Sequence, residues 1–339
     1  MIAPLRTLER FQDSARGCEV DLSDNTNLWG PPPSVQRASA FAASEVSRYP
    51  SAFSDDLKQA IARYAGVDGA CVVTGCGSDD VLDSAIRAFA VAGDRLAQLD
   101  PTFSMIRAFA ALNGLSVSGI SADRQNLADA FLQTDARLIY LCSPNNPTGG
   151  VISPEVVEAI VAGSNGVVII DEAYIDFGGV SSLRLPGRYD NVLVTRTLSK
   201  AFGLAGFRVG YGVGAPELIR QVECARGPYK VSALSERVAI DTLENDLDWV
   251  TQRTAEAVAN RQQLCRELEA LEYPALPSGA NFVLVPVSNA ERVEASMRDA
   301  GVAVRRFDRL PGIGDAVRIT IGPWPMMEKC LDAFRGAVS

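Results

Sequence analysis

Between about residues 69 and 214, short apolar runs alternate with amphipathic stretches. GACVVTG (69–75), DRLAQLD (94–100), ARLIYLCSP (136–144), GVVIIDEAY (166–174), NVLVTRTLSK (191–200) and FRVGYGVG (207–214) are short and bounded by Gly, Pro or polar turns, and they read as strands. SDDVLDSAIRAFA (78–90) carries its apolar residues at helical spacing behind a Ser or Asp cap. Strands that are apolar at nearly every position are buried on both faces. The pattern therefore predicts an α/β chain whose large domain is a mainly parallel sheet flanked by helices.

After about residue 230 the pattern changes. A helical stretch over roughly 232–272 is followed by strand-like NFVLVPV (281–287), VAVRRF (302–307) and AVRITIG (316–322), with helix-like ERVEASMRDA between the first two. This predicts a smaller α+β domain. GPPPS (30–34) breaks the N-terminal segment, which is expected to join the smaller domain or cross the mouth between the two. The expected division is 46–231 as a large cofactor-binding domain, with 1–45 and 232–339 forming an N-terminal lid and a small C-terminal domain. There is no internal repeat and no low-complexity segment.

Composition narrows the chemistry. The 339 residues suit two domains, and 47% hydrophobic with 22% charged residues is ordinary for a packed chain. No run approaches the roughly 18 apolar residues of a membrane helix, and the N-terminus lacks a signal peptide's apolar segment. Seven cysteines, an odd number without a disulfide pattern, fit a reducing cytoplasm. A net charge of −9 argues against general nucleic-acid binding, so an anionic ligand must be held by a few placed arginines. The chain has no histidine, which excludes Ser-His-Asp and Cys-His nucleophiles and His-ligated zinc. Its lysines are Lys58, Lys200, Lys230 and Lys329 alone, so a catalytic amine must be one of these.

In doubly wound sheets, ligands sit beyond the carboxyl ends of the strands. TGCGSDD (74–80) lies at such a strand end and opens a helix, whose N-terminus offers free N–H groups for a phosphate. It is not a dinucleotide fingerprint, because Asp80 occupies the third glycine position, and this disfavours an NAD-dependent dehydrogenase. SPNNPTGG (143–150) places Asn145 and Asn146 at the next strand end. IIDEAY (169–174) ends in Asp171, Glu172 and Tyr174. Such an acidic end also suits a Mg²⁺-dependent nucleotide hydrolase, but none of the lysines follows a glycine, so the required phosphate loop is missing. In TLSKAFGLAGFRVGY (197–211), Lys200 closes an apolar strand, flanked by Thr197 and Ser199, with Arg208 eight positions on. An amine beside hydroxyls and a guanidinium points to a phosphorylated aldehyde, pyridoxal phosphate, held as a Schiff base. A buried carboxylate such as Asp171 would keep its ring nitrogen protonated.

From about Asp21 to Gly322 these motifs occur in the order found in fold-type I pyridoxal-phosphate aminotransferases, and the chain resembles most the histidinol-phosphate aminotransferase branch. The resemblance implies an aspartate-aminotransferase-like fold. It implies that Lys200 forms the internal aldimine and moves the proton between substrate and cofactor. Asp171 would pair with the ring nitrogen, and Asn146 and Tyr174 with the phenolic oxygen. Gly77, Ser78 and Asp79 would cradle the phosphate, closed by Thr197, Ser199 and Arg208, while Phe103 would stack on the ring. Tyr49, in RYP, matches a tyrosine that reaches the partner subunit's cofactor, which implies a homodimer.

For the substrate, Arg318 matches the arginine that binds the α-carboxylate, and Arg305 one associated with a distal phosphate, although the adjacent Arg306 leaves that alignment open. DNTNLWGPPPS resembles the family's Asn-Glu-Asn-Pro-Tyr-Gly-Pro lid. Asn27 and Gly30 match, whereas Thr26 replaces Glu, Leu28 replaces Pro and Trp29 replaces Tyr. Trp29 offers an indole N–H in place of a hydroxyl. The expected function is a cytoplasmic, homodimeric aminotransferase passing an amino group from histidinol phosphate to 2-oxoglutarate. Its alternatives are an aromatic or other amino-acid aminotransferase, or a threonine-phosphate decarboxylase on the same scaffold. A regulatory protein without turnover is disfavoured by the intact Lys200, Asp171 and Arg208.

Overall fold

The computed structural model describes residues 17–38 and 47–339. Its strands, in chain order, are β1 (Val20–Asp21), β2 (Val72–Cys76), β3 (Arg95–Leu99), β4 (Ser116–Ile120), β5 (Leu138–Cys142) and β6 (Val167–Asp171). They continue with β7 (Val192–Thr197), β8 (Val209–Gly214), β9 (Phe282–Pro286), β10 (Val302–Ala303), β11 (Arg305–Leu310) and β12 (Gly314–Thr320). A seven-stranded sheet runs in the order β2-β8-β7-β6-β5-β3-β4. All its pairings are parallel except those of β8, which lies antiparallel to both β2 and β7.

Both faces of this sheet are covered, as the unbroken apolar strands require. Leu138, Tyr140 and Cys142 enter one apolar cluster with the helices Ser78–Phe89, Met105–Leu112 and Pro216–Arg226, whereas Ile139 and Leu141 enter another with Leu127–Leu132 and Pro154–Gly163. On β8 the apolar residues Val209, Tyr211 and Val213 face a third cluster that continues into the C-terminal part of the chain. Their alternating neighbours are glycines, and this has a local reason: a Cβ on Gly210 would collide with the Gly77–Ser78 backbone. The glycine lets the start of the helix Ser78–Phe89 sit directly against the sheet.

The second sheet is small and antiparallel, β11-β12-β9. The N-terminal segment joins this end of the molecule, because β1 pairs in parallel with β10. The stretch 232–272 is two helices, Ala233–Asn245 and Leu247–Ala270. They part at Asp246, whose carboxylate accepts from Ser34 N at 2.7 Å and from Arg37 Nη2 at 2.9 Å. VAVRRF is likewise divided between β10 and β11, which belong to different sheets.

Candidate active site

The strand ends of the large sheet and Arg318 on the central strand of the small sheet come together beside Lys200, with the N-terminal strap, residues 22–30, between them. The helix Ser78–Phe89 begins at Gly77, which has φ +78° and no side chain to cap the turn. The first N–H groups of the helix therefore face outward as anion donors. Gly77 N donates to Arg208 O at 3.0 Å, and a Cβ on Gly77 would strike the Arg208 guanidinium. Arg208 itself sits at φ +53°. Its guanidinium is held by long contacts: Nη1 donates to Ala205 O at 3.4 Å and to Ser199 Oγ at 3.5 Å, and Nη2 lies 3.6 Å from Asp79 Oδ2. Ser199 N donates to Thr197 Oγ1 at 3.1 Å, which orders the turn that presents Lys200. Burial raises the carboxyl of Asp79, opposed by Arg208 and Lys200. Gly77, Ser78, Asp79, Thr197, Ser199 and Arg208 are thus brought together in one cup at the start of this helix.

Burial lowers the Lys200 amine to about 8, assisted by the charge of Arg318. Its Nζ donates to Asp24 O at 3.2 Å and lies 5.8 Å from the centroid of the Tyr174 ring. At the end of β6, Asp171 is buried and accepts from Tyr140 Oη at 2.7 Å and from Ala173 N at 3.1 Å. Among the described residues no lysine or arginine forms an ion pair with it, and burial raises its carboxyl to about 6. Asp171 is thus a buried acid to which the described residues supply no cationic partner. Tyr140 belongs to the site although its sequence context gave no warning. The available signal was the period of two along β5, which puts Tyr140 and Cys142 on the sheet face that also carries Asp171.

Arg318, on β12, is almost fully buried and closes the other side. Nη1 donates to Asn146 Oδ1 and Nη2 to Ser23 O, both at 2.6 Å, while Nε has no partner. Its guanidinium lies over Phe282 at 5.3 Å and Phe307 at 5.6 Å. Burial lowers it to about 10. Because Asn146 accepts through its oxygen, its NH₂ group remains the donor toward the site. The register pairs Arg305 directly with Arg318, so both side chains leave the same face of the small sheet. Arg306 points to the other face, where it pairs with Glu291 and Asp308 at 3.3 and 3.1 Å. Strand pairing thus puts Arg305, and not Arg306, on the face of the small sheet that carries Arg318.

The strap contributes residues that motif reading passed over. Ser23 O and Asp24 O accept from Arg318 and Lys200, and Asn25 Nδ2 donates to Tyr174 Oη at 3.0 Å. In Asn27, Nδ2 donates to Ala201 O and Oδ1 accepts from Trp29 N, both at 3.0 Å. It fastens the strap to the loop after Lys200. Trp29 is half-buried against the core, and its indole N–H has no partner among the described residues. Phe103 is half-buried at the edge of the sheet cluster, and the neighbouring Thr102 Oγ1 donates to Asn145 Oδ1 at 2.6 Å. Tyr49 is 83% exposed and stacks on Tyr229 with ring centroids 4.8 Å apart.

Compared with known proteins, the chain matches the profile of aminotransferase class I and II over residues 19–334. The chain belongs to this aminotransferase family. A histidinol-phosphate aminotransferase of Caldanaerobacter subterraneus is 32% identical over 87% of this chain and 85% of its own length. Another, of Geotalea daltonii, is 34% identical over 96% and 94%. A solved histidinol-phosphate aminotransferase of Sinorhizobium meliloti, in complex with pyridoxal-5′-phosphate, shares the fold with a TM-score of 0.87 at 24% identity, covering 100% of this chain and 97% of that one. The aminotransferase described here therefore has the fold-type I architecture that the resemblance of its motifs implies, and it is a transaminase.

Proposed function

We propose that this aminotransferase carries pyridoxal 5′-phosphate on Lys200 and transfers an amino group from histidinol phosphate to 2-oxoglutarate. The observation that carries the reading is the combination at the ends of two adjacent strands: beyond β7, an amine lowered to about 8 beside Asp79 and a loosely held Arg208, and at the end of β6 a buried Asp171 without a cationic partner among the described residues. The site's donor set fits the group. The cup offers helix N–H groups and a guanidinium to a phosphate, and Asp171 offers a carboxylate to a ring N–H. Tyr174 and Asn146 offer O–H and N–H to a phenolic oxygen, and Phe103 an aromatic face.

When bound, the cofactor supplies the carbonyl that accepts the amino group and the electron sink that acidifies the donor's α-carbon. The chain's part is binding, orientation and proton movement. Lys200 Nζ, poised near neutrality, takes the α-proton and returns it. Asp171 holds a proton on the ring nitrogen. Arg318 and Arg305, paired across two strands, hold a dianionic group, which suits both the phosphate of histidinol phosphate and the carboxylates of 2-oxoglutarate. The relatives named above, 32% and 34% identical, support the choice of donor. Trp29, with its unpartnered indole in place of a tyrosine, favours an aromatic amino acid as the second reading.

The same reading extends to assembly and location. The exposed Tyr49–Tyr229 stack supports a homodimer in which Tyr49 reaches the other copy's cofactor. The seven cysteines are free and no described helix is long and apolar enough to cross a membrane, which supports a cytoplasmic enzyme. We read 46–231 as the cofactor domain and 232–339 with 1–45 as the smaller one. The seven-stranded sheet lies wholly within the first span and the three-stranded sheet within the second.

The test is a borohydride reduction of cofactor-loaded protein followed by peptide mapping, and then a single-turnover screen of donors. A pyridoxyl tag on Lys200 and rapid loss of the yellow form with histidinol phosphate are expected. A tag found only on another lysine overturns the cofactor reading. Conversion by phenylalanine but not by histidinol phosphate overturns the donor, and carbon dioxide release from phosphothreonine indicates decarboxylation.

A further inference from the structure

Among the described residues Tyr174 Oη has one hydrogen-bond partner, Asn25, and that bond has a direction. Asn25 is buried in the strap at φ +56°, a left-handed conformation that asparagine tolerates. Its backbone N–H donates to Thr320 Oγ1 at 3.0 Å, and the Thr320 hydroxyl donates back to Asn25 Oδ1 at 3.2 Å. Asn281 Nδ2 donates to Asn25 O at 3.0 Å and locks the same backbone from the other side. Thr320 is 1% exposed, so turning the Asn25 amide over would leave its O–H facing an NH₂ group with no water to replace the lost acceptor. The amide is thus fixed with Nδ2 toward Tyr174 and donates into Oη at 3.0 Å. A phenol has one proton, and an Oη that already accepts from Asn25 must send that proton elsewhere. Among the described residues no acceptor is recorded for it, and the Tyr174 ring lies 5.8 Å from Lys200 Nζ.

We propose that Thr320 and Asn25 form an orienting relay that makes Tyr174 an obligatory hydrogen-bond donor into the active site, so that the phenolic oxygen of the bound cofactor is held as an anion. This inference rests on the function proposed above and deepens it. Thr320 and Asn25 are positioning residues that act through Tyr174. The charged and titratable groups facing Tyr174 are Lys200, Arg318, Asp171 and Cys142. None of them replaces the relay, because Arg318 is directed at Asn146 and Ser23, and Asp171 accepts from Tyr140. A donor to the phenolic oxygen lowers its hold on the proton it shares with the Lys200 nitrogen. Without that donor, the visible band of the loaded protein should titrate at higher pH.

The experiment is a pH titration of that band in cofactor-loaded wild type, Thr320→Val, Thr320→Ser, Asn25→Gly and Tyr174→Phe. Thr320→Val keeps the side-chain volume and leaves Tyr174 itself in place, and Asn25→Gly keeps the left-handed backbone. Each should raise the midpoint by about one pH unit, a tenfold gain in proton affinity, since a bond to a charged acceptor is stronger than a neutral one. Thr320→Ser should restore the wild-type midpoint. Adding Thr320→Val to Tyr174→Phe should move it no further, which a merely structural role would not predict. Loaded Thr320→Val and Asn25→Gly proteins with the wild-type midpoint overturn the relay and leave the cofactor reading standing. A wild type that takes up no pyridoxal phosphate overturns both. If one variant does not fold, the other decides.

Discussion

Asp171 gives the most direct quantitative prediction, because the ligand-free protein buries an ionisable acid without a counter-charge. Burial, opposed by the Tyr140 hydroxyl, lifts its carboxyl from the ordinary 3.8 to about 6. At roughly 1.4 kcal/mol per pH unit, ionising Asp171 in the folded state costs about 3 kcal/mol. The folded value lies above the unfolded one. The stabilising contribution is therefore fully present below pH 3.8 and is lost as pH rises to about 6. Asp171→Asn removes this term, although its NH₂ must now face Tyr140 Oη, which offsets about 1 kcal/mol. The ligand-free variant should thus be more stable than wild type at pH 8, by roughly 2 kcal/mol, and the advantage should shrink by about 3 kcal/mol on going to pH 4. Urea unfolding of both proteins at the two pH values measures the difference directly. Adding pyridoxal phosphate should stabilise wild type more than the variant, because only wild type gains a partner for the buried charge. A gap between the two proteins that does not change with pH would refute the claim that Asp171 is ionised and uncompensated.

Four further outcomes follow from the same geometry. In ligand-free protein Lys200 should react with amine-modifying reagents with a rate midpoint near pH 8, rising as the amine loses its proton; a midpoint at an ordinary lysine value, read by mass spectrometry, would remove its special environment. Gly77→Ala combines a positive φ with a collision against the Arg208 guanidinium, so cofactor affinity in an absorbance titration should fall by about tenfold or more. Arg305→Ala should lower kcat/KM for a phosphorylated donor by about 100-fold, while Arg306→Ala stays within about twofold; equal losses would contradict the register. Arg318→Ala should raise the KM for the 2-oxo acid by about 100-fold without altering cofactor colour, and unchanged kinetics would take it out of substrate binding.

The elements best read from sequence are those whose chemistry is local. The strands of the large sheet are apolar at nearly every position, and their ends carry the polar residues of the site, so Lys200, Asp171 and Asn146 stand out from composition and spacing alone. The strand Ser116–Ile120 escaped notice because it is an edge strand whose residues are mostly half-exposed, without an apolar run. The direction of β8 was not readable either, since an antiparallel return depends on how the loop 198–208 folds rather than on the strand's own residues. The break at Asp246 needed Ser34 and Arg37, more than 200 positions away. Asn25, Tyr140 and Thr320 are ordinary polar residues in the sequence. Their roles arise from contacts that only the assembled sheets create, Thr320 with Asn25, Asn25 with Tyr174, and Tyr140 with Asp171. The Arg305 assignment required cross-strand register, which the sequence carries only as two adjacent arginines.

One consequence of the two-sheet layout concerns how such a catalyst could change its diet. The groups proposed to hold the ring and phosphate belong to the large sheet and the turns at its strand ends, whereas Arg305 and Arg318, proposed to face the substrate, lie on adjacent strands of the small antiparallel one. Replacements on the outer hairpin could exchange one nitrogen source for another while the reactive centre stays untouched. New donors can therefore be acquired by tinkering at that periphery, without reinventing the chemistry.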